Sequence, residues 1–182
     1  MKTHKACVKR RVIGTRELIK KARSGDPEAF IALIDAHRQS MYKVARGFFN
    51  EPMDIEDALS DTVISCWEHL STLKRPETFK TWLIRILINK CNDIKRRNRN
   101  LVSLELIGET AAISPGPGDA DFETLISALS PPYRVVMVLH YSEGYKVREI
   151  ADMLRLPMGT VTSRLKRGRE QLAGILEGKE CV

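Results

Sequence analysis

The sequence is poor in the residues from which most metal and small-molecule sites are built. Aromatic residues make up 6% of its 182 residues, and its four cysteines, Cys7, Cys66, Cys91 and Cys181, are far apart. There is no CxxC pair, no His/Cys cluster at zinc-binding spacing and no phosphate-binding loop. We therefore expect no cofactor, no metal and no small-molecule substrate, and we expect that the protein is not an enzyme.

Long apolar runs and period-two strands are also missing. No apolar run approaches the roughly 18 residues of a membrane-spanning helix, and the N-terminus has no apolar signal core. These absences predict a cytoplasmic protein without direct membrane insertion. No segment alternates at period two over enough residues to form a sheet, so the predicted fold class is all-α. Cys66 and Cys91 lie in apolar helical patterns, which predicts buried thiols.

Charge is distributed in blocks along the chain. The formal net charge is +7, and residues 1–23 carry nine lysines and arginines against one acid, Glu17. Residues 51–61 carry five acids and no base, residues 74–99 nine bases and two acids, and residues 100–130 five acids and no base. A basic balance suits a polyanionic partner, and the alternation of sign indicates several partner surfaces.

Helical periodicity divides the chain into two modules. Residues 26–99 and 122–177 carry apolar residues at spacings of three and four. Residues 100–121 are acidic, contain glycine and proline and are weakly periodic, which predicts a flexible linker. Residues 1–25 are predicted to be a basic N-terminal extension. The predicted architecture is two small helical domains joined by the linker.

Three helices are predicted in the first module. Asp26 is placed to cap a helix with Pro27 at its first position, and the apolar pattern continues to about residue 49. A second helix is predicted over about 54–73 and a third over about 79–97. The third helix ends in a basic cluster that exceeds what a helix dipole favours, so phosphate contact is predicted there.

The second helix of this module has one apolar side and one mixed side. The apolar side consists of Ile55, Leu59, Val63, Cys66 and Leu70. The mixed side combines acids such as Asp57 and Asp61 with Ile64. Acids in the first turns of a helix are favoured by its dipole, but the same face also suits a basic partner helix. The pattern alone supports both interpretations.

The C-terminal module contains residues 146–172, KVREIADMLRLPMGTVTSRLKRGREQL, in which a break at Leu156-Pro157 separates two helical patterns. In the first pattern the inward residues are Ile150, Ala151 and Leu154. In the second, Val161, Leu165 and Leu172 form an apolar seam, and a separate stripe consists of Thr160, Ser163, Arg164 and Arg167.

This arrangement of an apolar seam behind hydroxyls and guanidiniums lets a helix pack on its own domain while it enters a DNA major groove. A solvated surface helix is the alternative. The preceding helix and the proline-containing break favour a DNA-binding helix-turn-helix.

Two parts of the chain resemble bacterial RNA polymerase sigma factors of the extracytoplasmic-function (ECF) type. ETLISALSPPYRVVMVLHYSEGYKVREIADMLRLPMGTVTSRLKRGREQL resembles sigma domain four, with EIA-x-x-L followed by P-x-G-T-V-x-S-R-L-x-R-x-R. DIEDALSDTVISCWEHL followed by TFKTWLIRILINKCNDIKRR resembles sigma domain two. The two motifs occur in the order and separation expected of that family. The resemblance implies a dissociable polymerase subunit that selects promoters and helps to melt the −10 region.

The resemblance implies that the first module holds the melted −10 element. A base flipped out of the non-template strand needs a stacking surface and an amide for its edge. The residues implied in reading and holding the strand are Leu73, Lys74, Arg75, Phe79, Trp82 and Asn89. Those implied in phosphate contact are Arg85, Lys95, Arg96 and Arg97.

The resemblance also assigns the −35 element to the C-terminal module. The positions implied in base contact are Thr162, Ser163 and Arg167. Those implied in backbone contact are Arg148, Thr160, Arg164 and Lys166. Gly168 stands inside this recognition helix where the family usually has alanine, which costs up to ~1 kcal/mol of helix propensity.

Core RNA polymerase is the main partner that the resemblance implies. The second helix would dock on the clamp of the largest subunit through Asp57, Ser60, Asp61, Ile64 and Glu68, and the C-terminal module would meet the flap region. Promoter DNA and an anti-sigma factor are the further partners. The expected location is the cytoplasm, in association with the nucleoid, with the anti-sigma factor able to hold the protein at the membrane.

Two other functions account for less of the sequence. A stand-alone helix-turn-helix regulator of duplex operators explains residues 146–172, but it leaves the acidic face and the Trp82–Asn89 face of the first module without a role. A nuclease or similar enzyme would require a metal-ligating cluster that the sequence lacks.

Overall fold

The structure is a computed structural model that describes residues 14–102 and 126–179. Within these ranges every regular element is helical, which confirms the predicted all-α class. The first module comprises α1 (Thr15–Arg23), α2 (Pro27–Asp35), α3 (Arg38–Phe48), α4 (Pro52–His69) and α5 (Phe79–Val102), with 3-10 turns at Leu70–Thr72 and Pro76–Thr78. The second comprises α6 (Pro131–Met137), a π-helical turn (Val138–Ser142), α7 (Val147–Leu154) and α8 (Met158–Lys179).

The start of α2 confirms the predicted cap. The Asp26 carboxylate accepts hydrogen bonds from the backbone N–H groups of Glu28 and Ala29 at 3.0 and 3.1 Å. Helix α1 precedes this cap and packs against α2, so that Ile19 and Ala22 are buried in the core. The helix lies in the range predicted as an extension, yet it is packed into the first module.

The prediction of one helix over residues 26–49 is wrong. The helix breaks between α2 and α3, where His37 has φ −115° and ψ 2°. The imidazole of His37 packs against the Phe79 ring with 5.3 Å between centroids. Desolvation by burial, with Lys80 nearby, lowers the pKa of this imidazole. Neither glycine nor proline marks this break in the sequence.

The buried face of α4 is rotated relative to the predicted one. Ile55 and Cys66 are buried as predicted, but Ala58 and Thr62 complete the face, whereas Leu59 and Val63 are half-buried. The Thr62 hydroxyl donates a hydrogen bond to the Ala58 carbonyl at 2.6 Å, which satisfies the buried hydroxyl within its own helix. The small residues allow α4 to lie close to its neighbours.

Helix α5 is the centre of the first module. It contacts α3 and α4, and its fully buried side chains are Phe79, Leu83, Ile84, Leu87, Ile88, Cys91 and Ile94. Ile86, on the same helix, is half-buried. Burial confirms the prediction of two buried thiols and raises the pKa of both Cys66 and Cys91 to about 12.

The second module confirms the predicted break between two helices. Arg155 ends α7 in the left-handed region at φ 54°, and the Leu156 N–H donates to the Ala151 carbonyl at 2.9 Å, as in a Schellman motif. At the start of α7, the Lys146 backbone N–H donates to the Glu149 carboxylate at 2.8 Å. Helix α8 then begins at Met158.

The two modules are in contact through α3 and α6. A side chain added at Gly47 of α3 would meet the Val135 backbone at 3.4 Å, so the helices approach closely there. Arg134 is 4% exposed and donates across the contact to the Asn50 side chain and to the Arg46 carbonyl. Lys80 forms an ion pair at 2.9 Å with Glu143, whose side chain is 3% exposed. The contact is therefore polar as well as apolar.

Candidate nucleic-acid and polymerase interfaces

Helix α8 presents the predicted −35 residues on its outer side. Val161 and Leu165 are buried against the rest of the module, and Leu172 is half-buried, which fixes the rotation of the helix. The predicted residues that are exposed are Arg148, Thr162, Ser163, Lys166 and Arg167, and those that are half-buried are Thr160 and Arg164. None of the seven residues is buried, so all of them are at least partly open to solvent.

The polar groups on this surface remain able to bind DNA. The Thr162 and Ser163 hydroxyls each donate a hydrogen bond at 3.0 Å to a backbone carbonyl of α8, which leaves their oxygen lone pairs free to accept. Lys166 lies 3.8 Å from Glu170, an exposed pair of little energetic weight. Arg167 has no ion-pair partner in the described part of the chain.

Gly168 has a packing role that its helix propensity does not reveal. A side chain at this position would meet the Met137 side chain at 3.0 and 3.1 Å and the Tyr133 Cβ at 3.5 Å. The glycine therefore lets α6 approach α8 directly behind the stripe. Without a side chain there, the recognition helix can lie closer to its support.

The outer face of α5 carries three of the predicted −10 residues. Trp82, Arg85 and Asn89 follow each other at spacings of three and four and share one helix face. Trp82 is half-buried, with its ring 6.0 Å from the Phe79 ring, whereas Arg85 and Asn89 are exposed. Lys74 and Arg75 are exposed on the connection that precedes α5. An aromatic ring, an amide and several cations are thus available along one surface.

Three predicted −10 residues are not available on that surface. Leu73 is 4% exposed and Phe79 is 1% exposed, so both belong to the core. Lys95 is half-buried, with its ammonium 5.1 and 5.8 Å from the ring centroids of Phe48 and Phe49, and burial lowers its pKa. Apolar packing and cation–π contact already occupy these side chains. They therefore lie beneath the face of α5 that carries Trp82, Arg85 and Asn89.

The other two residues that are predicted to contact phosphate are exposed but lie next to acidic side chains. Arg96 contacts Asp93 at 3.0 Å, and Arg97 contacts Asp61 at 3.8 Å. Both pairs are exposed and weak, so the arginines can exchange these partners for phosphate.

The outer face of α4 borders a groove that also involves α2 and α3. Of the predicted polymerase-binding residues, Asp57, Ser60, Ile64 and Glu68 are exposed and Asp61 is half-buried. The α4 groove has a volume of about 630 Å³ and is lined by Ile34, Arg38, Met41, Glu56, Leu59, Ser60, Val63 and Ile64. Ile64 is 57% exposed at its edge. An apolar floor with acids along one rim suits a basic amphipathic partner helix.

Comparison with known proteins matches both modules to one family. Residues 33–101 match the family model described as Sigma-70 region 2, and residues 119–172 match Sigma-70, region 4. The RNA polymerase sigma factor CnrH of Cupriavidus metallidurans is 31% identical, over 89% of this chain and 94% of CnrH. The ECF RNA polymerase sigma factor SigM of Mycobacterium tuberculosis strain H37Rv is 30% identical, over 88% of this chain and 83% of SigM.

The chain belongs to the ECF sigma factors. Its structure is similar to that of CnrH solved in complex with the cytosolic domain of CnrY, with a TM-score of 0.61 and 27% identity over 90% of this chain and 97% of that chain. Members of this family are transcription initiation factors rather than enzymes. None of the helices in the described part of the chain is long and apolar enough to cross a membrane.

Sequence reasoning missed two sets of residues in this sigma factor. Ile34, Arg38 and Met41 line the α4 groove; a continuous helix over 26–49 was expected there, so the groove between α2, α3 and α4 was not predicted. Arg23 donates hydrogen bonds to the backbone at the start of the connection between α4 and α5. No local pattern could have identified that contact, since Arg23 and the acceptors are far apart in the sequence.

Proposed function

We propose that this ECF sigma factor binds core RNA polymerase, directs it to specific promoters and helps to melt the −10 region. The observation that carries the proposal is the exposed polar stripe of α8, which the buried seam of the same helix holds against α6 and α7. A stand-alone regulator of duplex operators would use that stripe too. It would leave the aromatic and amide face of α5 and the α4 groove without a role.

The −35 element is recognised by α8 in the major groove. Arg167 can donate two hydrogen bonds to a guanine edge, and Ser163 can donate to or accept from either base of a pair. Arg148, Thr160, Arg164 and Lys166 contact phosphates on either side, which sets register and orientation without selecting sequence. Thr162, next to Ser163, contacts a base at the edge of the same site.

The −10 element is held as a single strand beside α5. Trp82 supplies a stacking surface, and Asn89 offers a donor and an acceptor to the edge of a base turned out of the duplex. Lys74, Arg75, Arg85, Arg96 and Arg97 hold the backbone of that strand. Binding energy captured only by the separated strand stabilises the bubble, so no bond chemistry is required of the protein.

Core polymerase docks in the α4 groove through the clamp of its largest subunit. Ile64 and the floor of the groove supply apolar contact, while Asp57, Asp61 and Glu68 attract basic groups on the clamp. The second module then contacts the flap region. An anti-sigma factor competes with polymerase for the α4 groove and the second module. While bound, it can hold this cytoplasmic protein at the membrane, and its release lets the protein associate with the nucleoid.

Promoter binding requires the two modules to separate from the arrangement described above. The −35 and −10 elements lie about 25 base pairs apart, which is roughly 85 Å along the duplex axis. Two touching modules of this size have centres only about 25–30 Å apart. Lys80 and Glu143 join the modules at the start of α5, and Tyr145 is buried close to Thr81 and Arg85. The closed arrangement thus partly covers the −10 surface.

Run-off transcription with purified core polymerase on a panel of promoter fragments tests the function. We expect starts that require both core polymerase and this protein, and co-purification of the protein with core. A protein that shifts duplex fragments without polymerase and gives no core-dependent start would be a regulator, and the proposal would be wrong.

Two substitutions test whether the second module recognises the −35 element and the first module holds the melted −10 strand. Arg167→Ala is expected to weaken use of matched −35 sequences by ~1–3 kcal/mol and to relax selectivity there. Asn89→Ala is expected to reduce permanganate reactivity of the −10 bubble more than it reduces initial duplex binding. Full −35 selectivity in the first variant, or an unchanged bubble in the second, would contradict the assignment of that residue.

A further inference from the structure

Helix α1 is fastened to the connection that precedes α5. The Arg23 Nε donates to the Leu70 carbonyl at 3.2 Å, and its Nη2 donates to the Leu73 carbonyl. The Leu70 carbonyl also accepts a hydrogen bond from the Leu73 backbone N–H at 3.3 Å. The guanidinium that bridges the Leu70 and Leu73 carbonyls therefore adds a further constraint on the backbone there. Helix α1 also contacts both 3-10 turns of this connection. The position of the connection therefore depends on α1.

A basic groove lies between α1 and this connection. The α1 groove has a volume of about 410 Å³ and is lined by Arg16, Ile19, Lys20, Arg23, Ser24 and Pro76. Its three cations follow each other at spacings of four and three, which places them on one side of the helix. Among the residues that the structure describes, no acidic side chain lines the groove, and the nearby acid Glu17 is paired with Lys21 at 3.8 Å.

An anionic ligand would neutralise the positive charges that line this groove. Arg16 and Lys20, one turn apart, repel each other, and within the described ranges neither has an ion-pair partner. At 1.5 Å per residue the stripe from Arg16 to Arg23 is about 10 Å long, which is close to the axial rise of about three nucleotides of a stacked strand at roughly 3.4 Å each. The described residues that line the groove include no aromatic ring, so their chemistry suits phosphates and not bases.

We propose that the α1 groove binds backbone phosphates of the same single strand whose bases are held by Trp82 and Asn89. The proposal rests on the proposed function and adds a site that lies outside both matched family regions, since the first of these begins at residue 33. Pro76 forms one wall of the groove and Lys74 and Arg75 stand exposed beside it, so a strand held on the connection passes next to α1. The contact contributes affinity without sequence selection.

Two neighbouring lysines on α1 provide a matched test. Lys20→Gln removes one charge from the groove, and Lys21→Gln removes one charge from a position outside its lining. Each variant is assembled with core polymerase and titrated with fork-junction DNA, in which the −10 non-template strand is single-stranded, over a range of salt concentrations. Arg23 is left unchanged because it holds the connection.

For Lys20→Gln we expect a threefold to fivefold loss of affinity for the fork and a salt slope smaller by about 0.7, the value for one phosphate contact on a single strand. Arg16→Gln combined with Lys20→Gln should roughly double the change in slope. Lys21→Gln should leave both quantities close to wild type, and binding of all variants to a duplex −35 fragment should be unaffected.

Three results would overturn the proposal. Equal losses in Lys20→Gln and Lys21→Gln would indicate a general charge effect, and wild-type binding in both would show that the groove does not contact the strand. Tighter fork binding by Lys20→Gln would mean that an acidic segment, such as the chain's own residues 100–121, occupies the groove instead. In each case normal core-dependent transcription by the variants would leave the proposed function intact, whereas a wild-type holoenzyme that neither binds the fork nor transcribes would reject both.

Discussion

The two helices proposed to contact DNA, α5 and α8, differ in how much of their surface is buried in the protein core. Helix α8 packs along one seam, in which Val161 and Leu165 are buried, and its other sides face solvent. Helix α5 has helices on more than one side, so that adjacent residues such as Leu83 and Ile84 are both fully buried. A single amphipathic stripe therefore describes α8 well, but it underestimates the buried surface of α5.

This difference is reflected in the exposure of the predicted site residues. All seven residues predicted for the −35 site are exposed or half-buried. Among the residues predicted for the −10 site, Leu73, Phe79 and Lys95 are held in the core or at the module contact. A motif gives the positions that a family uses, but the depth of each side chain depends on the neighbouring helices.

The variant with the largest expected effect on the free energy of unfolding tests whether Phe79 is a core residue. Phe79→Ala should lower the free energy of unfolding by ~3–5 kcal/mol, because it empties the space of a fully buried ring. Asn89→Ala, on the exposed face of the same helix, should change it by less than ~0.5 kcal/mol. Chemical denaturation followed by circular dichroism measures both. Similar small changes in the two variants would mean that Phe79 is accessible to bases after all.

Much of the fold could be predicted because strong local signals determine it. The Asp26-Pro27 cap, the apolar seam of α8 and the Leu156-Pro157 break each depend on residues close together in the sequence. The break at His37 could not be predicted, since no glycine or proline marks it and the imidazole packs on a ring contributed by α5. The contact between Arg23 and the connection before α5 is likewise a product of tertiary packing.

The second prediction concerns the close packing of α6 against α8. Gly168→Leu should destabilise the second module by ~1–3 kcal/mol, because the new side chain would overlap Met137 and force α6 and α8 apart. Gly174 lies in the same helix with nothing within 4 Å of an added Cβ, so Gly174→Ala should stabilise the helix by ~0.5–1 kcal/mol. Thermal unfolding compares the two.

A gain in stability for both glycine variants would contradict the close approach of α6 to α8. It would leave Gly168 as an ordinary weak point in the helix. The expected loss, in contrast, should be accompanied by weaker −35 binding, because displacement of α8 would move Ser163 and Arg167 relative to the rest of the module.

The smallest effect tests the contact between the two modules. Lys80→Gln removes the partner of the buried Glu143 carboxylate and should weaken the contact by ~1–2 kcal/mol, less than a fully buried pair because the Lys80 side chain is 41% exposed. Small-angle X-ray scattering of the free protein should then give a larger radius of gyration. Lys90→Gln, the same charge change elsewhere on α5, is the control.

The same variant connects the contact with function. If the closed arrangement covers part of the α5 surface, a more open protein should bind a single-stranded −10 oligonucleotide more tightly without core polymerase, while Lys90→Gln should bind as wild type does. The second module would then act on the first in two ways, by reading −35 DNA when bound and by restricting −10 binding when free. An unchanged radius with unchanged oligonucleotide binding would mean that Lys80 and Glu143 do not control the separation of the modules, and that the α3–α6 contact at Gly47 and Val135 is sufficient to hold them together.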